Sequence, residues 1–481
     1  MDAASVAASS LKTVKSLTVS TTQKVSNPTT TLIPPWLSNK PNMLTLYASN
    51  SNPRNRLLCL TRCSTKPDTN TDNETDQNST IEPNSNSKTL KPTSPISDES
   101  LSSSLLSSPS SSSSSRGLVF GLGPANSWDS AEIGSPVVKR FLSDEEERWY
   151  MWYYGRSNGN PASDTIGLAV SRNGIHWERG GGATGSSGEA GSVMNCSKDW
   201  WAFDTESIRP CEVVVMSSTK VRAASAVYWL YYTGYSFEKA EFSDNTLEFN
   251  LENPERFCID RVEKISKSLP GLAISQDGRH WARIEGEHHS GALFDVGSER
   301  EWDSPFIAAP QVVFHGSGDL RMYYHSFDLE NGGFGIGMAR SRDGIRWVKL
   351  GKIIGEGGSD SFDELGVMNA RVVRNRKDGK YVMAYEGVAA DGGRSIGLAV
   401  SSTGLKDWRR LQDEAALMPS VEDGWDNGGV GSPCLVQMDG DVDEWRLYYR
   451  GVGNGGRTGI GMAVSQGSDI RSFTRWTGFH L

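Results

Sequence analysis

The sequence predicts an all-β fold in which five four-stranded antiparallel units stand around an axis as a five-bladed β-propeller, preceded by a disordered N-terminal presequence and linker. Three observations predict it: a hairpin phrase recurs five times, an aromatic strand precedes each copy, and an aromatic-Asp pair opens each unit.

The aromatic-Asp pair leads through a small-residue or Pro step into a Val-rich run. The copies are WDSAEIGSPVV from Trp128, FDTESIRPCEVV from Phe203, WDSPFIAAPQVV from Trp302, FDELGVMNARVV from Phe362 and WDNGGVGSPCLV from Trp425. These are the first strands. The second strands are Trp149–Gly155, Tyr228–Gly234, Arg321–Ser326, Tyr381–Gly387 and Trp445–Gly451, each rich in Tyr and Trp. The hairpins follow: Ile166–Trp177, Gly271–Trp281, Phe334–Trp347, Ile396–Trp408 and a looser copy, Ile460–Trp476. In each, alternating apolar residues reach a polar turn and a fourth strand begins at an aromatic, the pattern of a β-hairpin. The hairpin tryptophans Trp177, Trp281, Trp347 and Trp408 are expected to pack between units.

An apolar residue stands at one fixed distance before three of the pairs: Phe294 before Trp302, Ile354 before Phe362 and Leu417 before Trp425. Phe120 stands in the same relation to Trp128, with no unit before it. Gly117–Phe120 is therefore expected to complete the last unit, beside Phe473–Leu481, and to close the ring. A Gly-rich insert (Gly180–Trp201) and a charged one (Phe237 to Lys267) interrupt the pattern in the first two units.

Residues 1–67 contain one acidic residue, Asp2, against eight Lys and Arg, with many Ser and Thr, the composition of an organelle transit peptide. Ser and Thr outweigh Arg, which points to the chloroplast, with the mitochondrion as the alternative. Residues 68–115 read as a disordered Ser/Asn/Thr-rich linker, and residues 116–481 as the propeller. The front carries +7, leaving −16 on the rest of a chain whose total is −9. An acidic body of this kind argues against a nucleic-acid partner, and no apolar run is long enough for membrane insertion. The six cysteines show neither a CxxC nor a disulfide spacing, and no motif asks for a metal or cofactor.

Positions shared by all five units build the fold, and positions that differ are where function is sought. The five Asp residues of the pairs, Asp129, Asp204, Asp303, Asp363 and Asp426, read as turn or cap groups bonding local backbone N–H. The position after the Tyr pair diverges: Gly155, Thr233, His325, Glu386 and Arg450. A second divergent set lies near the first strands: Glu132, Glu206, Arg209 and Asn369.

From Leu118 to about Trp476, the phrase WDSxxIxxP…YYxG…IGLAxSxDGxxW resembles the arabinanase/levansucrase/invertase superfamily of five-bladed propellers, which includes many glycoside hydrolases. The resemblance implies carboxylates at the axial end of the ring, one as general acid and a second activating water or attacking the sugar. In hydrolase members one carboxylate immediately precedes the Pro of the first strand, where this chain has Ser135. The general acid lies two residues before the matching Pro of the third unit, where the residues preceding Pro310 are Ala308 and Ala309. Two readings stay open. In one, the protein hydrolyses a glycoside with a shifted set: Glu386 as proton donor, Glu206 or Asp129 as base, and Arg209, His325, Asn369, Arg450 and Glu132 binding substrate. In the other, it is a catalytically inactive propeller in the plastid, a sugar-binding or protein-interaction scaffold. Arg209, Arg450 and His325 add a sugar phosphate to the expected ligands, since Arg forks suit phosphate geometry.

Overall fold

The computed structural model describes residues 115–142, 146–180, 190–216, 227–241, 264–421, 423–438 and 444–478. The expected presequence and most of the expected linker lie outside the described residues, as do the middles of the two inserts.

Each sequence unit forms an antiparallel meander. The first comprises β2 (Glu132–Leu142), β3 (Glu147–Ser157) and β4 (Asn160–Ser171), with the short β5 (Glu178–Arg179) and β6 (Ser192–Met194) on its outer edge; a separate short strand, β1 (Leu118–Phe120), precedes it in the chain. The second comprises β7 (Ser207–Val215), β8 (Tyr228–Glu241), β9 (Lys264–Ser275) and β10 (Ala282–Ile284). The third comprises β11 (Ala308–Gly316), β12 (Asp319–Asp328), β13 (Gly333–Ser341) and β14 (Trp347–Ile354). The fourth comprises β15 (Gly366–Arg374), β16 (Tyr381–Val388), β17 (Arg394–Ser401) and β18 (Arg409–Arg410). The fifth comprises β19 (Gly429–Gln437), β20 (Trp445–Val452), β21 (Thr458–Gln466) and β22 (Asp469–Arg475). One parallel contact, Phe334 with Gly366, joins the third and fourth meanders into a single sheet. No described helix is long and apolar enough to cross a membrane.

Contacts between meanders follow a cycle. The innermost strands touch in the order β2, β7, β11, β15, β19 and back to β2. The hydrophobic clusters do the same, each drawing on neighbouring meanders: one holds Trp152 and Val213, the others Tyr231 and Met322, Tyr323 and Val372, Val382 and Leu447, and Tyr448 and Met151. Hairpin tryptophans press edge-on against the preceding meander, Trp281 on Trp152, Trp347 on Tyr231, Trp408 on Tyr323 and Trp177 on Tyr448. Each such aromatic pair contributes about 0.5–1.5 kcal/mol beyond burial. In the fifth meander the equivalent place is held by Phe473, which pairs with Ser465 as Trp347 pairs with Ser341, and not by Trp476.

The first strand meets the fifth meander as the spacing predicts. β1 pairs antiparallel with β21, Phe120 opposite Ile460, in the register that sets Ile354 opposite Ile336. The Ile133 amide then donates to Thr458 Oγ1 at 2.9 Å, tying the first meander to the fifth. Met194 takes the outer place opposite Ile166 in the first meander, one residue further from its pair than the spacing rule expects.

Candidate functional site

Each inner strand carries a β-bulge at the same place, where its register against the second strand slips. The equivalent bulge position is Ser135, Pro210, Ala309, Asn369 or Ser432; it is unpaired in four strands, while in β7 Pro210 still faces Tyr232 and the unpaired residue is the next one, Cys211. Four of the five hold positive φ, at 47° for Ser135, 50° for Ala309, 50° for Asn369 and 45° for Ser432. Left-handed backbone costs a residue with a Cβ about 1–2 kcal/mol, and such strain gathers at functional sites. All five bulge residues line one cavity of ≈ 50 Å³, together with Arg209, Cys211, Thr233, Tyr235 and Arg371. At about 10–15 Å³ per water, it admits a few waters or one compact polar group, and not a whole sugar ring. No Asp or Glu is among its lining residues.

The divergent position after the Tyr pair is Tyr154, Thr233, His325, Glu386 and Arg450, because register sets these five residues opposite Gly134, Arg209, Ala308, Met368 and Gly431. Gly155, the residue expected there, pairs one step away with Ile133, since the first unit has three consecutive aromatics before its glycine. Three members of this ring accept the bulge amide of the next meander. Ala309 N–H donates to Thr233 Oγ1 at 2.9 Å, Asn369 N–H to His325 Nδ1 at 3.2 Å, and Ser432 N–H to Glu386 Oε2 at 2.8 Å. For Tyr154 the equivalent position of the next meander is Pro210, which has no N–H to give. Arg450 crosses to the first meander and, lying against Gly134 as Glu386 lies against Gly431, offers only donors.

Glu386 is buried and also receives Asn369 Nδ2 at 2.8 Å, with Arg394 Nη1 at 3.3 Å from its other oxygen. Glu132 accepts from Tyr154 Oη at 2.7 Å and Arg450 Nη2 at 2.8 Å, and is paired with Arg156. Burial pushes the Glu132 carboxyl up, but Arg450, Arg156 and Arg209 outweigh it and hold the group below the ordinary carboxylate value. Arg209 pairs with Asp164 at 2.9 Å and lies between the rings of Tyr154 and Tyr235, 4.4 and 5.4 Å from their centroids. Glu206 sits at the entrance to β7, its amide bonded to the Tyr235 carbonyl at 2.9 Å, outside the cavity lining. Of the expected residues, Arg209 and Asn369 line the cavity, while His325, Glu386, Glu132 and Arg450 stand behind it.

Asp129 belongs elsewhere. The five repeated Asp side chains each accept a Tyr hydroxyl and a cation: Tyr153 and Arg179 on Asp129, Tyr232 and Arg283 on Asp204, Tyr324 and Lys349 on Asp303, Tyr385 and Arg410 on Asp363, Tyr449 and Arg475 on Asp426. All five are buried. The reading as local caps thus gives way to a link from the turn to the second and fourth strands. Its sequence signal is a cation two residues after each hairpin aromatic.

A further group escapes the sequence reading. Two residues beyond each bulge, the inner strands hold Val137, Glu212, Gln311, Arg371 and Cys434. Glu212 is buried, with Lys139 Nζ at 2.5 Å, Arg371 Nη1 at 3.1 Å and Gln311 Nε2 at 2.8 Å. Burial raises its carboxyl and the Arg371 and Lys139 charges more than reverse this, leaving it below the ordinary value. The available signal is a polar residue at one position of three Val-rich runs. Among the described residues no three His, Cys, Asp or Glu side chains group as a metal centre would require.

Neither a protein-family model nor a curated protein matches the chain. Among solved structures, a glycoside hydrolase aligns with a TM-score of 0.51 at 15% identity, over 76% of this chain and 95% of that one. A complex of BT0996 with RGII aligns with a TM-score of 0.50 at 16% identity, over 76% and 96%. A thermostable family-43 glycoside hydrolase is a weaker neighbour, with a TM-score of 0.46 at 18% identity, over 69% and 89%. At the identities of the first two, the likeness is one of fold.

Proposed function

We propose that this chain is a five-bladed β-propeller that binds a carbohydrate, a glycoside or sugar phosphate, at its axial cavity without hydrolysing it. The observation that carries the reading is the convergence of five equivalent bulge residues, four with strained backbone, on one cavity. The cyclic contacts between inner strands support the five-bladed ring, and the shared fold with a glycoside hydrolase supports a sugar as ligand. Loss of hydrolysis is supported by Ser135, Ala308 and Ala309 at the places where the resemblance asks for carboxylates, and by a lining with no Asp or Glu. Glu386 is engaged by Ser432, Asn369 and Arg394. The acid-poor, Ser- and Thr-rich composition of residues 1–67 supports a chloroplast location, with the mitochondrion as the alternative.

One observation favours hydrolysis: Arg450 bonds Glu132 at 2.8 Å, and Gly431, its partner across the strands, lies against Glu386, so two buried carboxylates stand near one arginine. There Glu386 is the acid and Glu206 or Glu132 the base; Asp129, tied to Tyr153 and Arg179, is dropped from that role. Incubating the protein with short plant oligosaccharides and analysing the products separates the readings. Binding with every sugar recovered intact supports the first; cleavage by wild type and not by Glu386→Gln establishes the second.

A further inference from the structure

We propose that the ligand of the axial cavity carries an anionic oxygen group, a phosphate or a carboxylate, and that this group is what enters the cavity, between Ser135 and Arg209. The inference rests on the sugar-binding reading above and names the class of sugar.

Three observations carry it. The first is a mismatch in the ring of interlocks. Where Thr233, His325 and Glu386 each accept a bulge amide from the next meander, Arg450 brings only donors to the bulge at Ser135, and the position equivalent for Tyr154 is Pro210, which has no N–H. The one join where donors meet donors is therefore the join of the fifth and first meanders, and Arg450 Nε is buried there with no acceptor among the described residues. Arg450 stands behind the lining, so this buried donor adds positive character to the cavity wall beside Ser135 without itself touching a ligand.

The second is charge. Among the described residues, the network behind the lining pairs Glu132 with Arg156 and Arg450, Asp164 with Arg156 and Arg209, Glu212 with Lys139 and Arg371, and Glu386 with Arg394. These carboxylates stand behind the lining and not in it. The charged residues lining the cavity itself are Arg209 and Arg371. In a site of low dielectric, guanidinium donors that face the cavity while the carboxylates stand behind it favour a ligand anion far more than they would in water.

The third is size. A cavity of ≈ 50 Å³ takes a compact group, and a tetrahedral or planar oxyanion is of that size, so a neutral ring stays at the mouth while the charged substituent enters.

The test is calorimetric titration of the full chain with neutral hexoses and pentoses, the same sugars as phosphate esters, the corresponding uronates, and inorganic phosphate, at low and high salt. The proposal expects phosphorylated or uronate forms to bind at least about 10-fold tighter than their neutral parents, an advantage that shrinks as salt is raised. The phosphate and uronate arms identify which oxyanion is used. Arg209→Gln is expected to lose that preference; because Arg209 is paired with buried Asp164, the wild-type preference is the deciding measurement if this variant does not fold. Equal affinity for charged and neutral forms overturns this inference and leaves sugar binding intact. Binding of no sugar, charged or neutral, overturns both.

Discussion

The Ser432 amide donates to Glu386 Oε2 across the boundary between the fourth and fifth meanders, at 2.8 Å. With the same link from Asn369 to His325 and from Ala309 to Thr233, the divergent ring that suggests chemistry in the sequence is first a set of interlocks. Glu386 must hold the next strand in place whatever else it does.

Glu386→Ala is therefore expected to cost about 3–5 kcal/mol, because it leaves Arg394 buried without this carboxylate and orphans the Ser432 amide. Glu386→Gln, which keeps an acceptor, is expected to cost less. Urea denaturation of the two variants checks the order, and a wild-type midpoint for the alanine variant contradicts it.

The repeated Tyr–Asp–cation links make a second prediction. Asp129→Asn and Asp363→Asn are expected to destabilise by similar amounts, about 1–3 kcal/mol each, since both weaken a buried Tyr hydroxyl and Arg pairing. Thermal melts of the two variants check this, and an unchanged midpoint for either one contradicts it.

Closure by β1 is the third. Phe120 is buried, with its ring 5.0 Å from that of Tyr153 and its backbone paired to Ile460. Phe120→Ala is expected to cost about 3–5 kcal/mol, and removal of Gly117–Phe120 at least as much. An unchanged thermal midpoint contradicts closure.

Stability should also fall in acid. Glu132 and Glu212 have carboxyls held below the ordinary value of 4.5, so the stability they supply is complete above that value and is lost as pH falls through their folded-state values. Urea midpoints measured from pH 7 downward are expected to be level until about pH 5 and to decline below it. Glu212→Gln should flatten part of that decline; an identical acid limb argues against the Glu212 network as its source.

Much of this was legible in the sequence for a physical reason: units of one pattern fold alike, so spacing alone located Phe120 as an outer-strand residue. The hairpin tryptophans were legible because aromatic bulk at a fixed place must pack somewhere. The first unit misled at Gly155, where three aromatics in a row hide which one bonds the turn Asp and only strand register decides. Glu212, Gln311 and Arg371 escaped notice although they share one position, because the meeting of side chains from three units is set by the cycle of contacts between units and not by any local pattern. Asn369 and Arg209 were found as divergent polar residues, but the positive φ that aims four bulges at one cavity leaves no sequence mark when Ser, Ala and Asn hold it.

The central claim is that the axial cavity receives a sugar and leaves it whole, and the most direct measurement is binding with product analysis in one sample. The full chain is titrated with plant oligosaccharides and sugar phosphates, and the mixture is followed by NMR for new reducing ends. The account predicts saturable binding of at least one sugar with its resonances otherwise unchanged. Release of reducing ends by wild type and not by Glu386→Gln would contradict it and make the protein a hydrolase.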